Sequence, residues 1–268
     1  MQEHNIKNKI RERYGKIAST GTETCCAPTI SIDNKKSISS GCSPTPTDSV
    51  TAMGYDNKEL ESIPEASVLG VGCGAPLHYA AAKEGETVVD LGSGAGIDVF
   101  LSANKVGGSG KVIGIDMTDE MLEKARRNAK ENGYTNVEFR KGDIEKRIPV
   151  DDNSVDLVIS NCVINLTTNK VDTFKEIHRV LTQGQGRMVI SDLITDKEVQ
   201  SSSVDSEKWC SCIDGTLTKE NYLESIRKAG FQNPEILEEK LYIQDQEEGE
   251  DKFGNRKISS IVVKAVKN

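Results

Sequence analysis

TVVDLGSGAGID, residues 87–98, decides the fold. A β-branched run, Thr87–Val89, leads through Asp90 into three glycines at alternate positions, Gly92, Gly94 and Gly96, and an apolar helical pattern begins at Ile97. A strand that must turn tightly into a helix needs residues without a Cβ, and the same lack lets a ligand approach the backbone. Beyond this loop the pattern repeats. A helix is expected from about Ile97 to Val106, then the strand KVIGID (111–116) and a helix from about Asp119 to Asn132. NVEFRKGD (136–143) reads as strand and loop, and SVDLVISN (154–161) as a fourth strand. VDTFKEIHRVL (171–181) reads as a helix and GRMVISDL (186–193) as a fifth strand. Strands alternating with amphipathic helices mean parallel βαβ units, hence an α/β fold with a mostly parallel sheet.

The flanks differ from this centre. Ile6, Ile10, Tyr14 and Ile17 share one face of a helix over residues 1–18, which can dock on the main domain. From Ser19 to about Asp48, TGTETCCAPT and SSGCSPTPTD carry no apolar period and read as a mobile arm, with order resuming near Glu59. ASVLGVGCGAP (66–76) is a Gly-rich turn carrying Cys73, followed by a helix around Leu77–Lys83. After Asp196 come the only Trp, in EKWCSCIDG (207–215), and a helix over 218–229. EILEEKLYI (235–243) and ISSIVVKAV (258–266) read as a terminal hairpin that extends the sheet. The expected division is therefore an N-terminal helix and Cys-containing arm (1–60), a central ligand-binding domain (61–195) and a smaller C-terminal α+β region (196–268).

Composition narrows the function. The chain has 268 residues, 36% hydrophobic and 28% charged, and no apolar run long enough to span a membrane is visible. A formal charge of −8 argues against nucleic acid as a partner and for a small substrate. MQEHNIKNKIRE lacks the apolar stretch of a secretory signal, so a cytoplasmic location is expected. Seven cysteines, an odd number in a reducing compartment, read as thiols with a task or as packing rather than as a disulfide framework.

The ligand of the glycine loop follows from the acids around it. Asp116 ends the next strand, about 20 residues on, where a carboxylate accepts both ribose hydroxyls of an adenosyl group. The spacing is G-x-G-x-G rather than the dinucleotide pattern, and Asp90 would repel a pyrophosphate but pair with an ammonium. These features favour S-adenosylmethionine. In KGDIE (141–145), Asp143 is placed to meet the adenine amine and the Ile144 backbone the ring, with Met117 on its face, although the same residues also suit a capped turn. Ser93 in the loop and Asn161 at the end of the fourth strand complete the expected cofactor set.

The thiols at 25, 26, 42, 73, 162, 210 and 212 contain no C-x-x-C pair, so structural zinc is poorly supported. Cys162 stands apart because it follows a strand C-terminus, where open α/β sheets bind substrates. With YGKIA (14–18), the CC pair (25–26), GYDNKELESIPEASVLGVGCGAP (54–76), VVDLGSGAGIDVFLSA (88–103), VIGIDMTDEML (112–122), SVDLVISNCVINL (154–166) and W-x-x-C-I-D-G (209–215), the sequence resembles the arsenite S-adenosylmethionine methyltransferases over about residues 53–230. The resemblance implies a Rossmann-like class I methyltransferase fold in which Cys73, Cys162 and Cys212 bind arsenite. It also implies that Cys26 or its neighbour Cys25 acts in thiol relay, with glutathione or thioredoxin as reductant and thioredoxin a candidate partner. LTQGQGR (181–187) departs from the family's Pro-Gly-Gly turn, away from the expected chemistry.

Trivalent arsenic prefers thiolates, and three sulfurs leave it pyramidal with a lone pair on the open side, a nucleophile that needs no general base. His4, His78 and His178 are accordingly expected to be structural or exposed, although His78 lies close enough in sequence to influence Cys73. Two other readings stand beside this one: a methyltransferase for an organic quinone or sterol, and a non-catalytic arsenic sensor.

Overall fold

Strand β1 (Thr87–Leu91) is central because both its faces are apolar: Val88 points to one side of the sheet, Val89 and Leu91 to the other, and all are buried. It pairs in parallel with β2 (Lys111–Asp116) on one edge and β4 (Leu157–Asn161) on the other. Parallel pairing continues to β3 (Val137–Lys141) and β5 (Arg187–Thr195), giving the order β3-β2-β1-β4-β5. The computed structural model describes residues 3–20, 45–199, 206–244 and 256–268. Helices α5 (Ile97–Val106) and α6 (Asp119–Glu131) cover the Val88 face, with Phe100 and Leu122 in its core. Helices α7 (Lys170–Val180) and α9 (Lys219–Lys228) cover the other, with Phe174, Ile177, Tyr222 and Ile226. The expected α/β class with a mostly parallel sheet is the observed one.

The C-terminal hairpin extends the sheet as its alternation predicts. β7 (Glu235–Gln244) and β8 (Lys257–Val266) are antiparallel, and β8 inserts beside β5, pairing from Arg187↔Val266 to Thr195↔Ile258. A two-residue β6 (Leu217–Thr218) adds to the end of β5.

Helix α1 (Glu3–Thr20) docks through Ile6, Ile10, Ile17 and Ala18 against α6 and the short α8 (Ser206–Cys210). Order resumes earlier than the composition suggests, at α2 (Pro46–Ala52) and α3 (Asn57–Glu61). The Thr45 hydroxyl accepts the Asp48 N–H while the Asp48 carboxylate accepts the Thr45 N–H, a capping box with Pro46 preset at the first helical position. Conversely the helix read over 77–83 is only α4 (Leu77–Ala80). Ala81 turns left-handed at φ 47°, and the Arg187 guanidinium donates to the carbonyls of Ala80 and Ala81. The arm read between Ser19 and Asp48, with Cys25, Cys26 and Cys42, lies almost wholly outside the described residues.

Candidate active site

The order β3-β2-β1-β4-β5 reverses direction between β1 and β4, and the loops leaving these two strands therefore flank the crevice where open α/β sheets take ligands. One loop is the glycine turn. Gly92, Gly94 and Gly96 all sit at positive φ (69°, 52° and 102°), the left-handed region that a Cβ disfavours. A Cβ on Gly92 would lie 2.3 Å from Val163 Cγ2, whereas one on Gly94 would meet nothing nearer than Met121 Sδ at 3.9 Å, an ordinary contact. The turn is held by Gly92 N–H and Ser93 N–H on the Ile115 carbonyl (2.7 and 3.0 Å) and by Gly94 N–H on Asp116 Oδ2 (3.0 Å). Asp116 Oδ1 accepts Thr118 N–H at 2.8 Å; burial pushes this carboxyl up, and the two amides oppose the push.

A cleft opens here, lined by Gly92, Gly94, Asp116, Met117, Asp143, Ile144, Asn161, Cys162 and Cys212. Its roof is α1, through Lys7, Ile10 and Tyr14. Lys7 Nζ lies 2.9 Å from Asp143 Oδ2 and 2.7 Å from Glu145 Oε2, and this near-buried pairing ties the helix across the cleft. Glu145 also accepts the Asn169 N–H and the Thr168 hydroxyl.

Beside the glycine turn a smaller recess holds Asp90, Ser93 and Asp98, and among the described residues no Lys or Arg lines it. Burial pushes Asp90 well above the usual carboxylate range, with Asp98 and Asp116 adding repulsion. Burial also raises Asp98 to about 6, against the opposing hydrogen bond from the Tyr55 hydroxyl (2.8 Å). Asp98 Oδ1 and Ser93 Oγ are buried without hydrogen-bond partners among the described residues.

Cys162 and Cys212 line the far side of the cleft, and Cys73 joins them in one buried cluster. Cys73 reaches it from the Gly-rich turn: its N–H donates to Asn161 Oδ1 (3.0 Å), its carbonyl accepts Ser260 Oγ of β8 (2.7 Å), and its Sγ lies 3.6 Å from Ser191 Oγ of β5. Cys162 leaves β4 at φ 60° with its N–H on the Ser191 carbonyl (2.8 Å). Cys212, at φ 63°, donates its thiol to the Cys162 carbonyl at 3.0 Å. Left-handed backbone at two non-glycine residues is strain of the kind kept at ligand sites. All three thiols, and Cys210 beside them, are buried in one apolar cluster with Leu166, Leu193 and Trp209. The neighbouring Cys212 and Cys73 thiols, and then burial, push the Cys162 thiol well above its ordinary value, so Cys162 is held protonated.

Sequence reasoning did not single out Asp192, Lys170, Tyr55 or Lys7. Asp192 Oδ1 accepts Leu193 N–H (3.0 Å), and its Oδ2 accepts Asn165 N–H (3.1 Å) and the Tyr222 hydroxyl (3.2 Å); burial raises it to about 7. A carboxylate inside the apolar run of β5 was the readable signal. Burial lowers Lys170 to about 8, and its ammonium lies 5.8 Å above the Trp209 ring. Asn161, expected among the cofactor contacts, lines both cavities. Its amide nitrogen donates to the Tyr55 hydroxyl (2.9 Å) and the Gly74 carbonyl (2.6 Å), which with the Cys73 contact fastens that turn to β4. His78 pairs with Glu59 at 2.6 Å, and His178 meets Phe231 edge-on at 5.0 Å. Cys26 and Cys25 lie outside the described residues, so nothing here places a relay thiol.

Residues 82–230 match the methyltransferase domain family. Arsenite methyltransferase from Halobacterium salinarum is 42% identical over 233 residues, which are 86% of this chain and 58% of that protein. The Homo sapiens arsenite methyltransferase is 32% identical over 76% of this chain and 56% of its own length. The chain thus spans between half and two thirds of the length of these curated relatives. An arsenic (III) S-adenosylmethionine methyltransferase of known structure from Chlamydomonas reinhardtii superposes with a TM-score of 0.66 at 33% identity, covering 84% of this chain and 75% of that one. The glycine turn, the acids around it and the thiols across the cleft are thus those of a chain that belongs to the arsenite S-adenosylmethionine methyltransferase family.

Proposed function

We propose that this chain transfers the methyl group of S-adenosylmethionine to trivalent arsenic held by Cys73, Cys162 and Cys212, in the service of arsenic detoxification. The observation that carries the reading is the meeting of three thiols, from three separate segments, in one buried cluster, with Cys162 and Cys212 of that cluster lining the cleft that the glycine turn opens. The residues fit the methyl donor: the anionic recess of Asp90 and Asp98 suits the α-ammonium, Gly94 leaves its face open, and Asp116 stands where ribose hydroxyls would be accepted. Met117 and Ile144 supply apolar walls for the adenine, with Asp143 and Lys7 at the rim. When bound, the donor supplies an electrophilic sulfonium methyl.

Arsenite enters as its trihydroxide, and each thiol proton leaves with one hydroxide as water while an As–S bond forms. Cys212 exchanges its hydrogen bond to the Cys162 carbonyl for such a bond. The three thiolates would then aim the arsenic lone pair toward the glycine turn, where the bound donor would present its methyl group. Positioning in a dry cleft supplies the catalysis, and no side chain has to take a proton in this step. Methylation raises the formal oxidation state of arsenic by two, so turnover calls for a thiol reductant such as glutathione or thioredoxin, with Cys26 or Cys25 as the relay. Among the described residues no helix is long and apolar enough to cross a membrane, and a thiol-dependent reaction suits the reducing cytoplasm.

The test is incubation of the chain and its Cys162→Ser variant with arsenite, S-adenosylmethionine and glutathione, followed by chromatographic speciation of arsenic. The wild type is expected to yield methylated arsenic and the variant none, with donor affinity retained in both. Undiminished methylation by the variant would overturn the reading.

A further inference from the structure

Arsenite uses sulfur alone, yet the ligand atoms that close most tightly in this cluster are not three sulfurs. Cys73 Sγ, Cys162 Sγ and a carboxylate oxygen of Asp192 lie within 4.8 Å of one another, all three residues buried. The register of the sheet brings them together: Asn161 pairs with Ser191, so Cys162 leaves β4 beside Asp192 in β5, and Cys73 arrives over the neighbouring Ser191 hydroxyl. Cys212 turns its thiol to the Cys162 carbonyl.

We infer that Cys73, Cys162 and Asp192 form a binding site for a soft-to-borderline divalent cation of the zinc or cadmium class, which blocks arsenic from the same thiols. The inference shares two thiols with the proposed arsenite site and does not depend on arsenite binding there. A carboxylate oxygen is a poor donor to trivalent arsenic but a common one to zinc, at about 2.0–2.2 Å beside thiolates at about 2.3 Å. Such bonds bring donor atoms to roughly 3.5–3.8 Å apart, a closure of about 1 Å from the separations here. Asp192 is oriented as ligating carboxylates are, by donors on its other lone pairs: two backbone amides and the Tyr222 hydroxyl leave one direction open. Those donors are neutral, and Lys170, the cation whose field reaches Asp192, is bonded to the Thr167 carbonyl at 3.3 Å. On binding, the two thiols release their protons to water. Two thiolates and one carboxylate around a divalent ion carry a net charge of −1, and water completes the fourth position.

Trp209, the single tryptophan, lies in the same cluster, which also holds Cys210 and Cys212, and reports on cation binding in that cluster; the variants below assign the ligands. The experiment is an anaerobic titration of the full chain with cadmium ion, followed by Trp209 emission, and a parallel titration with arsenite. Asp192→Asn is expected to weaken cadmium at least tenfold and to leave arsenite affinity within about threefold, and Cys212→Ser to do the reverse. Cadmium affinity unchanged by Asp192→Asn, or reduced by Cys212→Ser as much as arsenite affinity is, overturns the inference. A wild type that takes cadmium but not arsenite refutes the arsenic reading and leaves this one standing. Should Asp192→Asn fail to fold, cadmium NMR of the wild-type chain at one equivalent decides: a two-sulfur, oxygen-containing ligand set supports the inference and a three-sulfur set overturns it.

Discussion

Replacing Lys7 by Met tests whether α1 acts as the roof of the donor cleft. The ammonium of Lys7 is the cation that joins this helix to Asp143 and Glu145, and its side chain is only 8% exposed. Removing one partner of a buried ion pair typically costs about 3–5 kcal/mol. Here Asp143 keeps 20% exposure and Glu145 keeps its contacts to Thr168 and Asn169, so the loss is expected nearer ~2–3 kcal/mol. Burial of Ile6, Ile10 and Ile17 favours docking by about 2 kcal/mol each, and the conformational entropy of ordering the helix opposes most of that gain. In Lys7→Met the docked state is therefore expected to become the minor one. A binding-competent closed state that becomes fractional lowers apparent affinity in proportion, so donor affinity is expected to fall by roughly 10- to 100-fold. The unfolding midpoint should move little, because α1 lies outside the sheet. Isothermal titration with S-adenosylmethionine gives the affinity, and amide exchange on residues 5–18 gives the opening. Adding Glu145→Gln removes a stranded carboxylate and should restore part of the loss, a coupling of about 1 kcal/mol in a double-mutant cycle. Donor affinity unchanged while α1 exchange accelerates would refute the roof.

Two further perturbations address the glycine turn and the anionic recess. Gly92→Ala places a Cβ 2.3 Å from Val163 Cγ2 at φ 69°, and left-handed strain plus overpacking beside the Cys162 turn should destabilise the fold by about 2–4 kcal/mol in urea. Gly94→Ala, with the same handedness but no neighbour inside 3.9 Å, is expected to cost only about 1–2 kcal/mol and to act on donor affinity instead. Equal destabilisation by the two would contradict the packing argument. Asp98, raised by burial to about 6 from 3.8, keeps its proton in the folded state over a range where the unfolded chain has lost it. Its contribution is present in full below pH 4 and declines as pH rises to about 6, by up to about 1.4 kcal/mol per pH unit. Asp98→Asn should flatten that part of the stability–pH curve, measured by denaturation at pH 4, 5 and 6; an unaltered slope would rule out Asp98 as its source.

Much of the fold was legible because its signals are local. A β-branched run, three glycines and a helical period lie within twelve consecutive residues, and each βαβ unit repeats the message, so β1 to β5 and their helices need no distant information. The face of α1 was legible for the same reason, as was the β7–β8 hairpin from its alternation. Helix α2 was hidden because its capping box is written in the Ser, Thr and Pro that also mark unstructured chain. The single cysteine after β4 was readable as a site residue from its position at a strand end.

What the tertiary structure alone decided is which atoms meet. Cys73, Cys162 and Cys212 come from three segments joined by strand order, and the pairing of β4 with β5 sets Asp192 beside two of those sulfurs. Lys7 closes over Asp143 and Glu145 only because α1 folds back across the strand ends. Local sequence pattern sets backbone geometry through sterics and hydrogen bonds a few residues apart. A donor set is a relation between residues far apart in the chain, and it exists only once burial of the two apolar sheet faces has forced the strands into one order and register.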